Sequence, residues 1–185
     1  MVKKDIMIYF TADTHFSHSN IINLCGRPFA NVERMNIRLI ENWNSSITSA
    51  DEIYILGDFM FKGNGIDANN ILNRLNGIKY MIKGNHDKFI DDELFDKNNF
   101  EWIKDYFVLK YQKMKIVLFH YPIFEWDGYF GDTIHLYGHI HNCGKNIEQQ
   151  KRFNLLGKMA INVGVYVNNF SPISIQTILK KIGKN

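Results

Sequence analysis

The chain is predicted to be an α/β protein in which two packed sheets carry helices on their outer sides. Three observations lead there. Strand-like apolar runs alternate with amphipathic helical runs through the first half. The second half changes to closely spaced strands that include a hairpin. Five of the candidate strands are followed at once by Asp, Asn or His, as at the carboxyl rim of an open α/β sheet.

The elements follow in order. Ile6 to Ala12 is short, apolar, and biased to β-branched and aromatic residues, which reads as a buried strand. Val32 to Ile47 places Val32, Met35, Leu39, Ile40, Trp43 and Ile47 at helical spacing on one face. Glu52 to Leu56 is a second strand, stopped by Gly57. Ile66 to Leu75 is a helix ending at Gly77, and Ile78 to Ile82 a third strand ending before Gly84. Phe107 to Tyr111 and Lys115 to Phe119 flank a short Gln-Lys-Met turn and form the hairpin. Ile134 to Tyr137 and Met159 to Val167 are further strands. Ser171 to Lys181 is a last helix with Pro172 near its start.

Composition bounds the rest. The 185 residues are 45% hydrophobic, which suits one folded domain over residues 1–185 and excludes disorder. A formal charge of +3 with scattered basic residues, apart from Lys180, Lys181 and Lys184, gives little support to nucleic-acid binding. Cys25 and Cys143 make no disulfide framework, and a reducing compartment is expected. The apolar run from Ile6 to Phe10 is too short for a signal peptide, and no segment reaches membrane-spanning length. A cytoplasmic location without membrane association is the expectation; a homo-oligomer is left open.

The residues that follow the strands carry the chemistry: Asp13-Thr14-His15, Gly57-Asp58, Gly84-Asn85-His86-Asp87, His120, and Gly138-His139-Ile140-His141. Residues two apart on an extended backbone project to one side, so Asp13 and His15 are expected to grip one ion together. His139 and His141 form a similar pair, with a loop geometry that allows them to serve different ions. Gly57, Gly84 and Gly138 each precede a candidate ligand where the chain leaves a strand sharply.

This series, in this order from Asp13 to His141, resembles the calcineurin-like metallophosphoesterase superfamily. The resemblance implies a four-layer α/β/β/α sandwich of two mixed sheets. It also implies two divalent ions: Asp13, His15 and His141 on the first, Asn85, His120 and His139 on the second, and Asp58 bridging them. The mixed imidazole, carboxylate and amide donors suit Mn²⁺, Fe, Ni²⁺ or Zn²⁺, with Mn²⁺ the first expectation, and do not suit Ca²⁺. The implied reaction is in-line attack on a phosphate ester by a hydroxide that bridges the ions. In the same comparison His86 is not a ligand but faces the leaving group as general acid or cation, and Asp87 is expected to orient its ring.

His18 and Arg27 are candidates for contacting a substrate phosphate, weighed against loop packing. The aromatic stretch from Tyr121 to Phe130 is read as a candidate wall on which a nucleobase or an aromatic leaving group stacks, with Trp126 and Tyr129 the leading candidates, weighed against packing of the loop on the sheet. His135 matches no motif position and reads as structural, and Asn162-Val163-Gly164 is given no chemical role. The expected function is hydrolysis of a phosphate ester, with phosphodiesters or small nucleotide-like substrates expected and phosphodiesters placed before monoesters. The rivals are a nuclease, a protein phosphatase and a silent binding module; intact ligand positions and His86 count against the last.

Overall fold

In a computed structural model, residues 6–141 and 156–184 are described. Strand β1 (Ile8–Thr11) is followed by a short helix α1 (Ser19–Leu24) and by α2 (Val32–Ser46), whose N-cap Asn31 accepts the backbone N–H of Arg34. Strand β2 (Glu52–Leu56), α3 (Gly65–Leu72) and β3 (Ile78–Ile82) come next, with Asn64 and Asp67 forming a reciprocal cap on α3. Then come β4 (Ile103–Lys104), β5 (Tyr106–Tyr111), β6 (Met114–Phe119), β7 (Ile134–Tyr137), β8 (Ala160–Asn162), β9 (Ile173–Ser174) and α4 (Ile175–Lys181).

Two mixed sheets result. The first runs β4-β3-β2-β1-β9, parallel except for β9, and the second runs β5-β6-β7-β8, parallel except for the β5–β6 hairpin. Alternation along β2 sorts its side chains. Ile53 and Ile55 pack under α2 and α3 with Met35, Leu39, Trp43 and Leu72, whereas Tyr54 and Leu56 face the second sheet and meet Ile116, Leu118, Ile134 and Leu136. The inter-sheet core is therefore dry, and both sheets point their parallel carboxyl ends at one rim. No helix among the described residues is long and apolar enough to cross a membrane.

The sequence reading departs from the structure in five places. The helix read as Ile66 to Leu75 ends at Leu72. Ser19–Leu24 is helical, and Ile103–Lys104 adds an edge strand, neither of which was expected. The strand read as Met159 to Val167 stops at Asn162. There Asn162 Oδ1 turns back to accept Gly164 N at 2.8 Å, and Val165–Asn168 continues as a 3₁₀ turn. The helix read from Ser171 starts at Ile175, because residues 173–174 pair antiparallel with β1 and Ser174 caps the helix through Thr177 N. Pro172 thus precedes a strand rather than opening a helix.

Candidate metal centre

The five segments singled out by their polar ends meet at the shared rim. Ionisable ligand atoms gather in two groups: Asp13, His15, Asp58 and His141, and Asp58, His120 and His139. Asp58 belongs to both. Its Oδ2 lies 3.6 Å from His15 Nε2 and its Oδ1 lies 3.6 Å from His120 Nε2. Asn85 completes the second group, with Oδ1 3.1 Å from both His120 Nε2 and His139 Nδ1. His15 Nε2 and His141 Nε2 face each other at 3.0 Å, and His141 Nε2 lies 4.0 Å from Asp13 Oδ1.

The alternation argument for Asp13 and His15 does not describe how they meet. Both sit in the left-handed region, at φ 56° and 50°, so the backbone there is coiled rather than extended. Asp58 and His139 share that conformation, at 53° and 66°. His139 and His141 diverge to different groups. The glycines permit the close approach. A Cβ at Gly57 would stand 2.7 Å from Gly84 Cα, and one at Gly138 would meet Asp13 Oδ2 at 2.8 Å. Side chains there would fill the space that brings the ligand loops together.

Electrostatics favour a cation. Asp13 and Asp58 are both buried, and burial followed by the charge of Asp58 raises the Asp13 pKa well above the usual carboxylate range. Burial lowers the pKa of His15, His120 and His139, and takes His141 down to about 4. These rings are therefore neutral near pH 7 and present lone pairs. His120 Nδ1 lies 2.8 Å from the Leu56 carbonyl, which fixes the proton on Nδ1 and turns Nε2 to Asp58 and Asn85. Two facing imidazole nitrogens beside two crowded carboxylates leave attraction unsatisfied. This donor set suits a divalent metal ion.

His86 stands outside both groups, with Nε2 4.0 Å from Asp58 Oδ2 and its side chain 39% exposed. Its backbone N–H donates to Asp58 Oδ1 at 2.9 Å. Asp87 does not reach the His86 ring as expected. Its Oδ2 accepts Asp58 N at 2.8 Å and Gly84 N at 2.7 Å, and its Oδ1 accepts Phe59 N at 2.8 Å. It latches the β2 and β3 loops together. Burial nevertheless pushes its carboxyl up to about 7, against the three donors that favour the charge.

Arg27 is likewise not a phosphate contact. It is buried, and its guanidinium donates to the carbonyls of Asp13 at 2.8 Å and Thr14 at 2.9 Å, propping the first ligand loop from beneath. Trp126 is also buried. It packs 5.1 Å from His135 on the outer face of the second sheet and donates Nε1 to Thr133 O at 3.1 Å. Tyr129 stands edge-on to Trp126. Neither ring lines the centre, because the loop after His120 folds back over the sheet. His18 does sit at the rim, 5.4 Å from the His15 ring.

Three neighbours are not singled out as site residues in the sequence, although Tyr121 lies in the aromatic stretch and Asn162 in a segment given no chemical role. Phe61 stacks on His18 at 3.8 Å and stands edge-on to His86 at 4.9 Å. Tyr121 stands 4.6 Å from His139, edge-on, with its hydroxyl 3.5 Å from Asn85 Oδ1. Asn162 donates to Ile140 O at 3.0 Å and so ties the His139–His141 loop to β8. Immediate succession to His120 was the available signal for Tyr121; nothing local marked Phe61.

Comparison with known proteins agrees with this geometry. MJ1445, an uncharacterised protein of Methanocaldococcus jannaschii, is 39% identical over 178 residues, covering 96% of this chain and 92% of its own. The crystal structure of AQ665 from Aquifex aeolicus, a protein of unknown function, superposes with a TM-score of 0.73 at 31% identity, over 95% of this chain and 99% of that one. The family model described as calcineurin-like phosphoesterase matches residues 6–156. With two mixed sheets, a shared rim and clustered ligand types, the chain belongs to the calcineurin-like phosphoesterase family.

Proposed function

We propose that the chain hydrolyses phosphate esters, phosphodiesters in preference to monoesters, with two divalent ions held in the adjoining groups. The observation that carries this is Asp58, whose two oxygens each lie 3.6 Å from an imidazole of a different group. A carboxylate placed so would serve both ions. Asp13, His15 and His141 would hold one ion, and Asn85, His120 and His139 the other, with Mn²⁺ the first candidate. Such ions, when bound, supply a water of lowered pKa and neutralise charge on phosphoryl oxygens.

The chain's own groups do the rest. Asp87 and Arg27 hold the ligand loops in register from below. His86 presents Nε2 on the open side of Asp58, where it can give a proton to a departing oxygen or stand as a cation beside it. Phe61 and the His15 ring restrict its swing, at 4.9 Å and 5.6 Å. Asn85 and His139 are exposed, so the rim admits an ester with substituents on both sides of phosphorus.

The test combines metal content with turnover. Purified protein reconstituted with Mn²⁺ is expected to bind two ions and to cleave bis-p-nitrophenyl phosphate faster than p-nitrophenyl phosphate. Asp58→Asn is expected to lose an ion and the activity together. Stoichiometric metal with no cleavage of either ester by Mn²⁺, Fe²⁺, Ni²⁺ or Zn²⁺ forms would favour a binding module instead.

A further inference from the structure

We infer that the ester carries a nucleobase beside its scissile phosphate, and that Tyr121, Phe119 and Tyr106 form the platform that takes it. This rests on the phosphoesterase reading above and names the substrate class of that same site. The platform begins at the second ligand group, where the Tyr121 ring stands 4.9 Å from His120 and 4.6 Å from His139. Phe119 follows at 5.6 Å and Tyr106 at 6.2 Å beyond it. Tyr106 and Phe119 are direct partners in the β5–β6 register, so one sheet face carries both. Tyr121 is 37% exposed and Tyr106 42%. The rings lead outward from the phosphate-binding end.

Flat rings beside an adjoining site for a phosphoryl group match a nucleotide, in which a planar base sits one sugar away from phosphorus. Lys104 is not part of this path: its ammonium lies over Trp102 and Phe107, and Phe107 alternates with Tyr106 and faces the inter-sheet core. Among the described residues, the other aromatic against the ligand histidines cannot serve. Phe61 is already engaged by His18, His86 and the Lys62 ammonium.

Two diesters that share a leaving group test the idea: the p-nitrophenyl ester of thymidine 5′-monophosphate, and methyl p-nitrophenyl phosphate. Stacking of one base predicts that kcat/KM favours the nucleoside ester by about 5- to 100-fold. Tyr106→Ala should cut that ratio at least fivefold through KM, and Tyr106→Phe should restore it. A readout without turnover accompanies it: calorimetric binding of thymidine 5′-monophosphate against 2-deoxyribose 5-phosphate. A ratio near one, with equal binding of the two phosphates, overturns the platform and leaves the hydrolase standing. If neither diester is cleaved, yet the nucleotide binds preferentially and Tyr106→Ala abolishes that preference, the platform stands and the hydrolase reading falls. Oligothymidylates then identify the source: affinity that rises with length points to a single strand, and length-independent affinity to a small nucleotide diester.

Discussion

Replacing Asp87 by Asn separates a latch from an orienting carboxylate. The native side chain offers two oxygens to three N–H groups, the buried ones of Asp58 and Phe59 and the half-buried one of Gly84. An amide has one oxygen. Keeping Asp58 and Gly84 on it turns the NH₂ against Phe59 N; the reverse orientation abandons two donors. One buried donor left unpaired costs about 1–3 kcal/mol, so Asp87→Asn should destabilise the metal-free protein by that amount. Asp87→Ala strands all three and should cost about 3 kcal/mol or more. The ionised carboxylate is itself disfavoured by burial, which offsets part of the loss. With an m-value of about 2–3 kcal/mol/M, the Asn variant's urea midpoint should fall by roughly 0.3–1.5 M. Because the latch joins the loops that carry Asp58 and Asn85, metal affinity should fall with it. A variant that unfolds at the wild-type midpoint and binds metal normally, while losing turnover, would refute the latch and return Asp87 to the His86 ring.

Other expectations follow from the same geometry. Arg27→Met strips donors from the Asp13 and Thr14 carbonyls and should cost about 2–4 kcal/mol, lowering Tm by roughly 4–16 °C; Arg27→Lys should recover only part, since an ammonium lacks the planar fork, and an unchanged melt would sink the strut. His135 is fully buried and its pKa is lowered to about 4, chiefly by burial. The unfolded chain binds that proton near pH 6.5 and the folded chain does not, so stability is full above that pH and declines on acidification toward 4. Between pH 7 and 5 this ring accounts for about 2 kcal/mol, and His135→Phe should flatten the pH dependence of urea unfolding by that amount; an identical slope would contradict it. Trp126→Ala should destabilise by about 3–5 kcal/mol without altering KM for small diesters; a raised KM would place the ring back at the substrate.

What was legible in the sequence had a local cause. The α2 helix announces itself through the spacing from Val32 to Ile47, and the strands through short apolar runs that stop at Gly57 and Gly84. The convergence of ligand types was readable because carboxyl strand ends share a rim. What stayed hidden depends on contacts across the chain. The helix at Ser19–Leu24 is too short to show a period, and Ile103–Lys104 is a strand only because Met81 and Ile82 lie beside it. The roles of Asp87 and Arg27 hinge on which backbone groups fold against them, about which residue type says nothing. Trp126 and Tyr121 lie in one aromatic loop; only its path over the second sheet decides that the first packs and the second borders the centre.

The left-handed backbone at Asp13, His15, Asp58 and His139 bears on how such a protein can change over generations. Each of these side chains is held where L-residues lose about 1–2 kcal/mol and glycine loses little. Two of them are buried carboxylates that repel each other. Glycine would relieve that strain unequally: at exposed His139 it removes little else, at buried His15 it opens a cavity, and at Asp13 or Asp58 it strands the N–H of His139 or His86. Selection for heat resistance alone would therefore act first on His139, while the two carboxylates are retained by the backbone they hold.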